Sequence, residues 1–215
     1  MIPVRGQKEV ENYPTVEPTY FFDAEEPVFY IKDATGLRIF DYKERGKKAL
    51  LTKPAVDTRD GARIVWSRSG LKAECTLFHE INWDSVKRHE YDCLIVDEAQ
   101  FLTPEEVEML CPIVDQYNVP VICYGLRTDF QGNFFPGSAK LLARADTIEE
   151  IKTICWCGRK ATNNARLDGK GGITKVGDQV LLGANDKYIG LCRKHWMEGD
   201  PGPELRGKVI SDQNE

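Results

Sequence analysis

Four soft metal ligands stand in two close pairs late in the sequence. They are Cys155 and Cys157 in Thr153-Ile154-Cys155-Trp156-Cys157-Gly158, and Cys192 and His195 in Leu191-Cys192-Arg193-Lys194-His195. Two such pairs, joined by a roughly hairpin-length stretch, can supply a closed tetrahedral Cys₃His site in which zinc is structural and no coordination position is left open. One residue separates the first pair where the common pattern has two or more, which lowers the specificity of the motif. Buried free cysteines are the competing reading, because cysteine is an ordinary core residue. The Cys-x-x-His partner favours the metal.

A second group with chemistry in it is Asp97-Glu98, directly after the apolar run Cys93-Leu94-Ile95-Val96. Carboxylates at the C-terminal edge of a buried strand occupy the usual place of a Mg²⁺-organising aspartate in nucleoside-triphosphate enzymes, where strand ends face the ligand crevice. Asp97 suits the metal, and Glu98 is then free to take a proton from an attacking hydroxyl. A bare acidic pair can also simply end a strand at a solvated edge. The full string Val96-Asp97-Glu98-Ala99-Gln100-Phe101 reduces the weight of that alternative.

The elements that must hold these residues are well marked. Cys93 to Val96 reads as a strand of a sheet buried on both faces. Thr103, Pro104 and Glu106 form a helix start with a capping box, and Val107, Leu110, Cys111 and Val114 give that helix an apolar stripe interrupted or bent at Pro112. Val119 to Gly125 is a second strand, so strand, helix and strand make a βαβ unit and an α/β domain with a largely parallel sheet. Val28–Ile31 and Ala49–Lys53, continuing to Val56, are further strands, and a helical stretch runs from Gly137 to about Ala145. Residues 1–27 read as an irregular arm, 28–150 as the α/β domain, 151–198 as a glycine-rich subdomain stapled by the metal, and 199–215 as a flexible tail.

Across its 215 residues the chain is 41% hydrophobic and 29% charged, a folded composition with room for one full domain and a small appendage. A net charge of −5 argues against general affinity for nucleic acid or an anionic membrane. Seven cysteines, an odd number, and no secretion-like N-terminal pattern lead to the expectation of reduced thiols and a cytoplasmic address. No apolar run approaches the ~20 residues needed to cross a bilayer.

Several separate motifs, in order, resemble the cytosolic zinc-containing (type II) thymidine kinases of bacteria and phages. They are Ile95-Val-Asp-Glu-Ala-Gln-Phe101, Val121-Ile-Cys-Tyr-Gly-Leu-Arg-Thr-Asp-Phe-Gln-Gly132, Lys152-Thr-Ile-Cys-Trp-Cys-Gly-Arg-Lys-Ala161 and Cys192-Arg-Lys-His195. The likeness is collinear from about Phe40 to Trp196 and takes in Tyr42-Lys-Glu-Arg-Gly46, Lys53-Pro-Ala-Val-Asp-Thr-Arg59 and Ser67-Arg-Ser-Gly-Leu71. It implies a P-loop-kinase-like, mostly parallel α/β sheet with a small zinc-bound β-ribbon or lasso subdomain. It also implies transfer of the γ-phosphoryl of ATP, with Mg²⁺, to the 5′-hydroxyl of thymidine, and a homotetramer.

Carried over by position, the resemblance makes Glu98 the catalytic base and puts Asp97, Glu98, Ala99 and Gln100 on the nucleotide and Mg²⁺ side. Phe101, Leu126 and Phe130 become walls of the thymine pocket. Gln179, Val180, Leu181, Leu182, Gly183 and Tyr188 belong to the lasso that closes over the base, with Cys155, Cys157, Cys192 and His195 anchoring its ends. Asp57 and Arg59 fall near the phosphates. From the residues alone, any one of these aromatics would be read as core.

The family opens with a strand, a phosphate-binding loop ending in Gly-Lys-Ser/Thr, and a helix. This sequence contains no Gly-x-x-x-x-Gly-Lys-Ser/Thr, and Gly36 is the only glycine between Val28 and Arg45. Backbone amides that cradle phosphates are not replaced by a side-chain cation such as Lys32 or Arg38. The expectation is therefore a kinase whose activity is impaired by the missing loop, or else a catalytically inactive thymidine-binding homologue or oligomer partner. A helicase-like ATPase shares Asp-Glu-Ala-Gln but is disfavoured by the short, acidic chain. A zinc-ribbon nucleic-acid module is disfavoured by the lack of an aromatic and basic surface around the cysteines.

Overall fold

The computed structural model describes residues 28–31, 46–56, 63–66, 72–180 and 188–207. The expected arm over 1–27, Lys32, Gly36, Arg38, Asp57, Arg59, Leu181, Leu182 and Gly183 lie outside the described residues. In chain order the larger part holds β1 (Val28–Ile31), β2 (Ala49–Lys53), β3 (Ile64–Trp66), β4 (Lys72–Glu74), β5 (Thr76–Leu77), α1 (Trp83–Lys87), β6 (Cys93–Val96), α2 (Pro104–Asp115), β7 (Val121–Tyr124), α3 (Pro136–Arg144) and β8 (Thr147–Glu150). Six of these strands form one sheet in the order β5-β2-β6-β7-β1-β8, every neighbouring pair parallel.

The strand residues explain why both faces are covered. All four residues of β6 and all four of β7 are buried, and a strand buried on both sides cannot alternate apolar with polar. Leu94, Val96 and Cys123 point into the core shared with Val86 of α1, Val107, Leu110 and Ile113 of α2, and Leu141 of α3. Cys93, Ile95, Ile122 and Tyr124 point the other way, into a second core with Leu51, Val65 and Cys75. Strand β2 ends at Lys53, short of Val56, which is exposed.

Helix α2 starts as its residues require. The Thr103 hydroxyl accepts from the Glu106 amide at 3.1 Å, and the Glu106 carboxylate accepts from the Thr103 amide at 2.8 Å, the two halves of a capping box. Pro112 sits inside the helix without ending it. On the surface, Glu108 of α2 accepts from Arg144 of α3 at 3.0 and 2.7 Å and pairs with Lys140. Arg144 and Lys140 hold the Glu108 carboxyl down at about 2, so the charged pairing lasts through the neutral range and is lost only as the pH falls towards that value.

The smaller part follows β8. It comprises β9 (Thr153–Ile154), β10 (Lys160–Ala161), β11 (Asn163–Leu167), β12 (Ile173–Thr174), β13 (Tyr188–Leu191) and α4 (Arg193–Glu198). Strands β9 and β10 form a short hairpin, and β11 is flanked by β12 and β13, all antiparallel. Residues 199–207, the described part of the expected tail, are held rather than loose. The Trp156 indole donates to the Asp200 carbonyl at 3.3 Å, Arg206 bonds the Asp200 carboxylate at 3.1 and 2.6 Å, and the Gly202 backbone lies against the Trp156 ring. Among the described residues no helix is long and apolar enough to cross a membrane.

Helix α3 enters the fold through a glycine with no room to spare. A Cβ on Gly137 would lie 2.4 Å from the Leu102 carbonyl oxygen, 2.8 Å from that of Gln100 and 2.9 Å from that of Ala99. All three obstacles are backbone, so none can swing aside. Gly137→Ala is expected to lower stability by about 2 kcal/mol or more, at the upper part of the range for overpacking. Urea unfolding should show the midpoint fall, and an unchanged midpoint would mean that α3 does not dock this closely.

Candidate active site and metal cluster

The sheet order sets the C-terminal ends of β6 and β7 side by side, and the candidate crevice lies at that edge. Strands β6 and β7 pair as Val96 with Cys123, so the residues that follow them, Asp97 to Gln100 and Gly125 to Leu126, emerge side by side at the C-terminal edge. That edge is where open parallel sheets bind ligands. The Asp97 amide donates to the Thr52 carbonyl at 2.8 Å, which ties the start of the turn to β2. Glu98 then adopts a left-handed backbone conformation, φ 49° and ψ 37°. A non-glycine residue held there costs about 1–3 kcal/mol, and such strain is concentrated at functional turns.

After Glu98 the chain makes a 3₁₀ turn over Ala99–Phe101. Gln100 is 1% exposed. Its side-chain amide donates to the Glu98 carboxylate, and its carbonyl oxygen accepts from the Leu126 amide at 3.0 Å. The Leu126 carbonyl in turn accepts from the Ser138 hydroxyl at 2.6 Å, near the start of α3. Phe101 packs edge-on against Phe135 with ring centroids 5.6 Å apart. Glu98, Gln100 and Leu126 are thus brought together, with Ala99 buried beneath them.

The remaining expected pocket residues gather around Arg166 of β11, which is only 7% exposed. Its guanidinium lies 3.6 Å from the centroid of the Phe130 ring, donates through Nε to the Tyr188 hydroxyl at 2.9 Å, and through Nη2 to the Asp178 carbonyl at 2.7 Å. Phe130 is accordingly 1% exposed, with one face covered by Arg166. The Gln179 side chain donates to the Asp129 carboxylate at 2.9 Å, while the other Asp129 oxygen accepts from the amides of Gln131 and Asn133, both at 2.9 Å. The Trp196 indole bonds the Phe130 carbonyl at 3.1 Å. Val180 is half-buried at the end of the described stretch.

Cys155, Cys157, Cys192 and His195 come together with all four ligand atoms within 4.8 Å of one another. The tight turn after β9 is closed by the Gly158 amide on the Cys155 carbonyl at 2.8 Å, with Gly158 at φ 81°. Across the cluster, His195 Nδ1 is 3.4 Å from the Cys155 sulfur and 3.6 Å from that of Cys192, and the Cys157 and Cys192 sulfurs are 4.0 Å apart. Backbone N–H groups of His195 and Lys194 at the start of α4 lower the pKa of the Cys192 thiol, though its burial opposes this. Trp156 stacks on the His195 ring, centroids 4.2 Å apart, and shields it.

Sequence reasoning missed Arg166, Asp129, Gly125 and Ser138. Arg166 sits in Asn163-Asn-Ala-Arg-Leu167, where one arginine between glycine turns carries no signal of burial. Asp129 reaches the Gln179 side chain 50 residues on, and Ser138 the Leu126 carbonyl 12 residues back, neither of which a local spacing rule reveals.

A family model described as "Thymidine kinase" matches residues 32–196, a span that includes Asp97 to Gln100 and the whole Cys₃His cluster. Among curated relatives, a protein of Legionella pneumophila (strain Lens) named "Thymidine kinase" is 44% identical over 182 residues, covering 81% of this chain and 87% of its own. A protein of the same name from Idiomarina loihiensis is 47% identical over 164 residues, with 74% and 85% covered. A third, from Ruegeria pomeroyi, is 48% identical over 170 residues, with 75% and 86% covered.

Arg166 bonds both sides of the chain segment that runs from Asp178 to Tyr188. Arg166→Met keeps much of the apolar stem and removes both hydrogen bonds and the ring-facing charge. The amides of Asp178 and Tyr188 are expected to exchange with deuterium at least about tenfold faster in this variant, with β6 and β7 unchanged. Equal exchange in the two proteins would show that Arg166 does not hold the segment.

Proposed function

The chain belongs to the thymidine kinase family, and we propose that it moves the γ-phosphoryl group of ATP to the 5′-hydroxyl of thymidine with Glu98 as general base. The observation that carries this is the family match over 32–196, within which the acidic pair stands at the C-terminal edge of the parallel sheet. A carboxylate at that place can accept the hydroxyl proton as oxygen attacks phosphorus, and Asp97 beside it is suited to Mg²⁺ accompanying the nucleotide. Nothing in the comparisons favours an inactive homologue. The segment after β1, where the family carries its phosphate-binding loop, lies outside the described residues, and its sequence lacks Gly-x-x-x-x-Gly-Lys-Ser/Thr.

Thymine recognition is assigned by the same proposal to Phe101, Leu126, Phe130 and Tyr188, with the segment from Gln179 through Val180, Leu181 and Leu182 to Gly183 closing over the base. Supporting this, Leu126 is fixed through both its backbone groups, while Phe130, Tyr188 and the Asp178 backbone share Arg166. A site built on fixed backbone donors and acceptors discriminates well, since the wrong base leaves a buried polar group unpaired.

Zinc is the metal proposed for the Cys₃His cluster. Bonds of about 2.3 Å to sulfur and about 2.0–2.1 Å to nitrogen in a tetrahedron give ligand-to-ligand edges of roughly 3.5–3.8 Å. Three of the six edges, at 3.4, 3.6 and 4.0 Å, lie close to that figure, and all six are within 4.8 Å. The donors are three thiols and an imidazole, all buried or half-buried, so the ion would bind as a structural staple. A homotetramer and a cytoplasmic address complete the proposal, the latter resting on the odd count of seven cysteines.

Two outcomes test the reading. Thymidine phosphorylation by ATP and Mg²⁺ should be measurable, and Glu98→Gln should lower kcat by roughly 10²-fold or more with little change in thymidine affinity. No turnover by the unmodified chain would sink it. For the metal, one equivalent of zinc should copurify, and Cys192→Ala should lose it and loosen β11 to β13, read by metal analysis and hydrogen exchange. Reduced protein that contains no zinc and is still fully folded would count against the staple.

A further inference from the structure

Beyond its expected place on the nucleotide and Mg²⁺ side, Gln100 makes side-chain bonds within the protein that point to a further role. It is nearly fully buried, so its polar side chain has to be met by partners within the protein. Both ends of its amide are in use. The Leu126 amide is a donor and can only be met by Oε1, which leaves Nε2 to face the Glu98 carboxylate. The orientation of the amide is therefore fixed by its partners and cannot be reversed without putting two donors together.

Its surroundings are shaped around it. A Cβ on Gly125 would lie 2.6 Å from Gln100 Oε1 and 3.0 Å from its backbone nitrogen, so the absence of a side chain at the end of β7 is what leaves room for the amide. Leu126, which receives one end of that amide, has its carbonyl held by Ser138. The other end reaches a glutamate whose backbone is left-handed and therefore has few alternative ways to present its carboxylate.

We propose that Gln100 is a positioning residue that holds the Glu98 carboxylate in register with the Leu126 wall, so that base and nucleoside are placed by one side chain. This rests on the kinase reading above. A misplacement of about 1 Å at a reacting group is enough to cost on the order of 10²-fold in rate. One amide spanning the two groups couples the position of each to the other.

Two variants separate this role from simple packing. Gln100→Glu keeps an acceptor for the Leu126 amide but sets a second carboxylate against Glu98, which either repels it or shares its proton. Gln100→Met keeps the shape and removes both bonds. Steady-state kinetics with ATP and thymidine, together with calorimetric titration of thymidine, should show kcat down at least about tenfold in both variants. Thymidine affinity should stay within about threefold in the glutamate variant and weaken at least about tenfold in the methionine variant. A glutamate variant that loses thymidine affinity as far as it loses kcat, or a methionine variant that loses neither, would overturn the proposal and leave Gln100 a packing residue.

Thermal melts identify a variant that fails to fold. In that event Ser138→Ala, which frees the Leu126 carbonyl without touching Glu98, is expected to weaken thymidine with kcat little changed. A fall in kcat alone there would overturn the scheme. If the unmodified chain binds thymidine but does not turn over, the kinase reading fails, and the affinity contrast between the glutamate and methionine variants still decides the Leu126 half. If it does not bind thymidine at all, both fall.

Discussion

How closely backbone can approach backbone at the turn after β6 governs the rest of the crevice. That turn lies between the end of β7 and the start of α3, and on each side it is met by a glycine, Gly125 and Gly137. Adding one carbon at either place would drive it into main-chain or amide atoms that have nowhere to go. The left-handed Glu98, the buried Gln100 and the two anchors on Leu126 are compatible only at this spacing. Hydrophobic burial of β6 and β7 supplies the stability against which such a strained, polar turn can be held, since strain of a few kcal/mol needs a surrounding structure that over-determines it.

Much of the architecture could be read from the sequence because it rests on local chemistry. The capping box at Thr103 and Glu106, the doubly buried run Cys93 to Val96 and the βαβ spacing each have a short-range physical cause, and each is observed. The metal cluster was legible for the same reason, since ligand type and spacing are sequence properties. The tail was less so. Residues 199–207 have no periodicity, yet Asp200, Gly202 and Arg206 are fixed by Trp156 and by one another.

What the sequence hid is the set of long-range polar contacts. Phe130 reads as a pocket wall by position, but its burial under Arg166 depends on a residue in another sheet. Tyr188 and Gln179 likewise depend on partners tens of residues away. Arginine, glutamine and aspartate are ordinary surface residues by composition, and only the fold turns Arg166 and Gln100 into buried ones. The same fold ties the loop after β7 to β11, through Asn164 on the Thr128 carbonyl and Arg127 on that of Thr162, so the two sheets meet at the site.

The sandwich of His195, Trp156 and the Gly202 backbone has a consequence for the order in which the molecule matures on the ribosome. The parallel sheet is complete once β8 has been made, and domains fold largely as they emerge. Two of the four metal ligands, Cys192 and His195, and the segment that covers Trp156, are synthesised well after that point. Asp97 and Glu98 are thus in place early, on a nascent chain whose smaller part does not yet exist. The Cys₃His cluster can be assembled only after its last member, His195, has left the exit tunnel, so it comes together on a framework already folded.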